Sequence, residues 1–371
     1  GISRASDPSP LRTVEIGGAI VADCYTTSAA EYVAARERLG VIRRHDRVAV
    51  RVSGKDRKAW LHNLLSNEIK KLESGGGCYA FAIDLRGRVL FDVTVLDVGD
   101  AIWLLTDAGS RQTLLTHLER YHMSEDVALH DEQQNWECLA LIGPLAESIV
   151  TTLMTANAVS NQSAESGGIG SANYAHAAFS FATTAGDDPS PSVAVRVVRD
   201  SLGGGLPVFE LWLPASASDW LWRTLTHDYA ALPVGFAALD ALRIEAGVPW
   251  MHRDIDERVV APETGQTERA ISYRKGCYLG QEVIERMRSH GSLARRLVRI
   301  AVADAAMPPI LLPAAIKFAG AEVGRITSLV AHPMGTQSIG LGYLKTAIRE
   351  AGDLSVGEPA RTVTFAEITP H

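Results

Sequence analysis

The chain changes character at Gly291. Beyond it the apolar residues fall in short runs cut by Gly and Pro, namely Arg296–Val302, Ile316–Phe318, Glu322–Leu329, Ser338–Leu344 and Ala360–Ile368. Such runs bury their backbone groups only by pairing with one another, so residues 292–371 are expected to form a small β-barrel or sandwich. Upstream, helical and alternating patterns succeed each other. Val48–Val52 alternates as a strand. A helix follows from the Ser53/Asp56 box, with Leu61, Leu64, Leu65, Ile69 and Leu72 on one stripe and Gly75–Gly77 as its stop. Strands at Cys78–Asp84 and Val89–Asp97 flank the turn Leu85–Arg88, and a strand at Ile102–Leu105 precedes a helix at Ser110–His122. This order predicts an α+β unit over 41–134, with helices on one face of a largely antiparallel sheet.

The pattern restarts at Asn135 with a strand at Leu139–Pro144 and a helix reaching Met154. Residues 155–192 read as loop with one short strand near Ala178–Ala182. Strands at Val193–Arg199 and Val208–Leu213 enclose a glycine loop at Leu202–Pro207, which matches no phosphate-binding spacing. Helices are expected at Ala215–Tyr229 and Gly235–Ala246, the second ended by Gly247 and Pro249. A second α+β part therefore spans 135–291, after a leading segment at 1–40. Residues 1–12 read as a mobile terminus without a function.

A chain of 371 residues exceeds one core. Its net charge of −7 argues against a general nucleic-acid or membrane-surface binder. Cys24, Cys78, Cys138 and Cys277 are widely spaced, with no zinc-ligand pattern, which suits free thiols in a reducing cytoplasm and no bound metal. No apolar run approaches a membrane span, and Ile16–Ala22 is too short and glycine-interrupted for a signal peptide.

Chemistry concentrates in Arg274–Gly291, RKGCYLGQEVIERMRSHG. Cys277 stands beside Arg274 and Lys275 and just ahead of a helix expected over Gln281–Ser289. Cations and a helix N-terminus both favour a thiolate. A buried, inert cysteine is the alternative, and residue type alone leaves both open. The window Arg269–Arg299 holds eight Arg or Lys against two Glu, a local basic patch that suits an acidic partner or polyanion. With few interleaved aromatics it is a weak nucleic-acid platform.

Lys275–Glu282, KGCYLGQE, resembles the K-G-C-Y-x-G-Q-E motif of YgfZ-type folate-binding proteins, relatives of the glycine-cleavage T-protein, the tetrahydrofolate-dependent aminomethyltransferase. Ala241–Gly247 is similar to that superfamily's L-R-x-E-A-G helix, and Gly324–Ser328 with Ile339–Tyr343 resembles strands of its C-terminal domain. The resemblance covers roughly residues 40–368. It implies T-protein-like architecture, with a ferredoxin-like first unit, a second α/β unit and a C-terminal barrel. It implies tetrahydrofolate as cofactor, and an accessory role in assembly or repair of iron–sulfur enzymes, with those clients or assembly proteins as partners of a monomer. Cys277 and Lys275 would carry that chemistry next to the folate cleft. Glu210 falls where T-proteins use a Glu to read the pterin; Arg243, Tyr278, Gln281 and Glu263 would complete the folate site. The alternative is an aminomethyl or one-carbon transferase using Asp92. T-proteins carry adjacent aspartates there, and Phe91 replaces the first, which weakens that alternative. An RNA-binding module using the basic window is a third reading.

Overall fold

The computed structural model describes residues 8–156, 169–182, 192–200, 206–291, 293–303, 309–350 and 352–368. A hairpin of β1 (Arg12–Ile16) and β2 (Ala19–Cys24) leads into α1 (Ser28–Glu37) and β3 (Gly40–Arg43). Ile16–Ala22, the apolar run weighed as a leader, is the tip of this hairpin and its return strand. Next come β4 (Arg47–Ser53), α2 (Arg57–Leu64), β5 (Gly77–Ile83), β6 (Val89–Asp97), β7 (Ile102–Asp107), α3 (Arg111–Arg120) and β8 (Ala128–Asp131). They build an antiparallel sheet of order β5-β6-β7-β4-β8. Trp60, Leu61, Leu64, Leu114 and Leu118 of the two helices cover one face, packing on Phe91, Val93 and Val95. Each such side chain contributes roughly 1.5–3 kcal/mol by leaving water.

The helix expected to run to Leu72 ends at Leu64. Tertiary hydrogen bonds stop it: Ser66 N–H donates to Phe81 O at 2.9 Å, and its hydroxyl donates to Ala270 O at 2.6 Å. Ile69 is still buried, reached by an irregular turn.

The second part contains β9 (Trp136–Ile142), α4 (Ala146–Ala156), β10 (His176–Ala182), β11 (Ser192–Asp200), β12 (Val208–Pro214), α5 (Ser218–Arg223), β13 (Leu232–Pro233), α6 (Phe236–Ala246), α7 (Thr267–Ala270) and α8 (Gln281–His290). Its sheet has the order β10-β11-β12-β9-β3-β13. The boundary drawn between residues 40 and 41 thus falls inside β3, which pairs with β9. Much of the 155–192 loop, and Leu202–Gly205 of the glycine loop, lie outside the described residues.

Six strands, β14 (Arg295–Val302), β15 (Ala314–Phe318), β16 (Ala321–Ala331), β17 (Ser338–Lys345), β18 (Leu354–Val356) and β19 (Arg361–Glu367), close into a barrel of order β14-β17-β16-β15-β18-β19. Closure leaves no free edge. One apolar core joins the parts: Tyr79 and Phe81 of the first sheet, Trp212 of the second, Ile255 and Tyr278 of the connecting segment, and Leu297 and Tyr343 of the barrel. That shared core fixes the walls of the cavity between them. No helix among the described residues is long and apolar enough to cross a membrane.

Candidate functional site

A cavity of about 750 Å³ lies where the β1–β2 hairpin, the first sheet, the start of α6, the 250–253 segment and the 330–333 barrel loop converge. Its volume is that of a small-molecule site, roughly 300–1,000 Å³. Arg12, Glu15, Asp23, Arg44, Asp46, Arg47, Asp92, Asp107, Asp240, His252 and Arg253 line it, with Phe236 and Trp250 as aromatic wall.

Asp92 reaches this wall because side chains alternate along β6. Phe91 points to the helix-covered core, where it is fully buried beside the His117 ring, while Asp92 points to the cavity. Phe91 therefore packs in the core, and Asp92 is the carboxylate that this strand presents to the cavity. Tyr79 O–H donates to Asp92 Oδ2 at 2.7 Å. Burial and the neighbouring Asp107 push the Asp92 carboxyl above its ordinary value, against the pull of Tyr79, Arg47 and Arg269. Asp107 accepts from Ser110 N–H at 2.9 Å through Oδ1, but its buried Oδ2 has no hydrogen-bond partner among the described residues. The wall therefore presents unspent acceptor capacity.

Glu210 is buried behind Arg47, 163 residues away in sequence. Arg47 Nε donates to Oε1 at 3.1 Å and the Trp212 indole to Oε2 at 2.9 Å, so the carboxylate aims Arg47 at the cavity. Each oxygen retains a lone pair. Burial and Glu210 together raise the Asp200 carboxyl, with Arg47 and Arg269 opposing. The Arg269 guanidinium lies over the Tyr79 ring at 4.2 Å. Arg47, Tyr79 and Asp107 escape a reading of the sequence because their partners are distant in the chain, and Arg269 is marked there only as one end of the basic window.

Arg243, implied as part of the folate site, does not line the cavity. It is fully buried, and its N–H groups are spent on Asp240 (2.8 and 2.7 Å), Val248 O (3.1 Å), Asp254 (2.6 Å) and Ser328 Oγ (2.7 Å). Burial favours the neutral carboxyl of Asp254, but Arg243 and the Thr327 and Ser328 hydroxyls outweigh it and hold Asp254 below the ordinary range. The cluster clamps α6 and the 248–254 segment to β16, behind the cavity wall. Glu263 is likewise buried and takes a two-pronged pair from Arg295 of the barrel at 3.1 and 2.8 Å.

The Lys275–Glu282 loop lies outside the lining of this cavity. Lys275 is buried, and its ammonium donates to the carbonyls of His62, Leu65 (2.6 Å) and Asn67 (2.8 Å), capping the negative end of α2. It turns away from the role of cation at Cys277; the thiol whose charge it influences is Cys78, itself pushed up to about 12 by burial. Tyr278 is buried in the shared core, and its N–H donates to Gln281 Oε1 at 3.3 Å. Gly280 has φ +82°, and a Cβ there would stand 2.6 Å from Asp84 O, so only glycine fits. Packing thus explains Lys275, Tyr278, Gly280 and Gln281. It does not explain Cys277, which is exposed, or Gly276, where an added Cβ would meet nothing within 4 Å. No cluster of three or more metal-ligating side chains occurs among the described residues.

The family model of the GCVT N-terminal domain matches residues 12–275. An aminomethyltransferase of Rubrobacter xylanophilus is 27% identical over 355 residues, spanning 95% of this chain and 89% of its own. A putative chloroplast transferase of Arabidopsis thaliana is 27% identical over 311 residues, spanning 83% and 66%. The crystal structure of glycine cleavage system aminomethyltransferase T from Bartonella henselae matches with a TM-score of 0.77 over 97% of this chain and 93% of that one, at 18% identity. The architecture is that of a T-protein.

Proposed function

The chain belongs to the GCVT family, and we propose that it binds tetrahydrofolate in the central cavity and acts as an accessory protein in assembly or repair of iron–sulfur enzymes. The observation that carries the folate reading is the acceptor-rich wall, where buried Asp107 Oδ2, beside Asp92, has no hydrogen-bond partner among the described residues. A pterin offers parallel N–H donors to such acceptors. Arg12, paired with Asp23, and Arg253, paired with Asp240, are lining cations whose remaining N–H groups suit the glutamyl carboxylates, while Glu210 holds Arg47 against the ring. In this reading Arg243 and Glu263 act by positioning the wall, and Tyr278 and Gln281 by shaping the cysteine loop.

The iron–sulfur role rests on the KGCYLGQE motif, whose Gly276, Cys277 and Glu282 are exposed members that packing leaves unexplained. Cys277 is the thiol that meets the client. A second reading, a folate-dependent aminomethyl or one-carbon transferase, is favoured by Asp92 in the cavity wall with a raised affinity for protons, suited to a general acid or base.

Two readouts separate them once tetrahydrofolate binding has been measured. In cells lacking their own protein of this kind, iron–sulfur enzyme activity should recover with the wild type but not with Cys277→Ser. Glycine-dependent methylene-tetrahydrofolate formation with lipoyl carrier protein should be negligible. Robust turnover abolished by Asp92→Asn, with rescue indifferent to Cys277→Ser, makes the protein a transferase.

A further inference from the structure

We infer that the groove between the last turns of α6 and the barrel is a second ligand site, taking a small apolar monocarboxylate. The groove holds about 580 Å³ and shares no lining residue with the central cavity. Leu242, Ile244, Ile300, Ile339 and Phe365 give it apolar walls. Arg299 supplies the polar end. Its NH1 donates to Glu245 O at 3.1 Å, and NH2 reaches Glu367 O only at 3.5 Å. Its Nε is buried with no hydrogen-bond partner among the described residues. Both acceptors of its terminal N–H groups among the described residues are neutral backbone carbonyls. Arg36 and Glu245 also line the groove, and the Glu245 carboxylate is already spent on Tyr32 (2.8 and 2.9 Å), His332 (2.9 Å) and Arg36 (3.3 Å).

An orphaned N–H on an unneutralised guanidinium, set among aliphatic and aromatic walls, asks for one anionic oxygen on an apolar body. A purely apolar occupant would leave Nε unsatisfied, and a polyanion would strand charge against the apolar walls. A carboxylate head on a short acyl or aromatic body meets both demands.

The test is a calorimetric titration of the full chain with octanoate, with octan-1-ol as the uncharged match. Saturable octanoate binding is expected. It should weaken at least tenfold in Arg299→Leu, and octanol should bind wild type and Arg299→Leu alike and more weakly. Ala366→Trp, which fills the groove from an exposed strand position, should abolish both. Tetrahydrofolate binding, measured on the same variants, should equal wild type, which separates this site from the central one and reports folding. Absence of saturable octanoate binding, or persistence of wild-type affinity in either variant, overturns the proposal.

Discussion

The central cavity and the cysteine loop both hold charged groups withdrawn from water, and they differ in how completely those groups are paired. In the loop, burial pushes Lys275 down to about 8, but three carbonyls accept from its ammonium, which ends α2. In the cavity, burial and Asp107 hold Asp92 above its ordinary value, and Asp107 Oδ2 has no donor among the described residues. Satisfied buried charge is architecture. Unsatisfied buried charge is stored electrostatic cost, which a fold keeps only where something else, such as a ligand, offsets it. The difference moves attention from the most recognisable stretch of the sequence to a wall that no stretch announces.

Removing each charge should expose that contrast. Lys275→Met strips three carbonyls of their donor in a place water reaches poorly, and should cost about 3 kcal/mol in urea unfolding. A loss below about 1 kcal/mol would mean that the end of α2 does not depend on it. Asp92→Asn should go the other way, leaving stability unchanged or raising it by up to about 1 kcal/mol at pH 7. Its pH dependence follows from the raised value. The folded carboxyl holds its proton to higher pH than the unfolded one, so the folded state binds more protons in the window above the ordinary carboxylate value of about 3.8. Wild-type stability should therefore fall as pH rises through that window, and Asp92→Asn should flatten the slope. An unchanged slope would place Asp92 in a solvated setting. The smallest effect belongs to Cys277→Ser, expected within about 0.5 kcal/mol of wild type because the side chain is exposed. Cys277 should nonetheless alkylate in the folded protein well before buried Cys24 and Cys138, and before Cys78, whose thiol burial raises to about 12. Labelling of Cys78 first would contradict the loop's geometry.

Much of the fold was legible along the chain, since strand alternation and helix stripes depend on neighbours two to four residues away. The strands of the C-terminal part, both sheets' main strands and the α6 stop at Gly247 belong to this kind, while the choice of a closed barrel over a sandwich does not. The overlong α2 shows where local reading ends: Leu72 continues the stripe, but Ser66, Phe81 and Ala270 break the helix through bonds that only the folded chain makes. Asp92 was legible as a candidate, and its direction follows from strand alternation beside Phe91. The pairing of Arg47 with Glu210 and of Tyr79 with Asp92 was not, because such pairs leave no periodic trace. Nor was the inward turn of Lys275, whose neighbour in sequence is Cys277 but whose neighbours in space are carbonyls.

The most direct measurement of the central claim is the equilibrium affinity for tetrahydrofolate of Glu210→Gln set beside that of Cys277→Ser. If the ligand sits against the wall that Glu210 and Arg47 build, the first substitution should weaken binding by roughly 1.5–3 kcal/mol, about tenfold or more, and the second should leave it unchanged. Wild-type affinity in Glu210→Gln together with loss in Cys277→Ser would contradict the account and move the folate site to the cysteine loop.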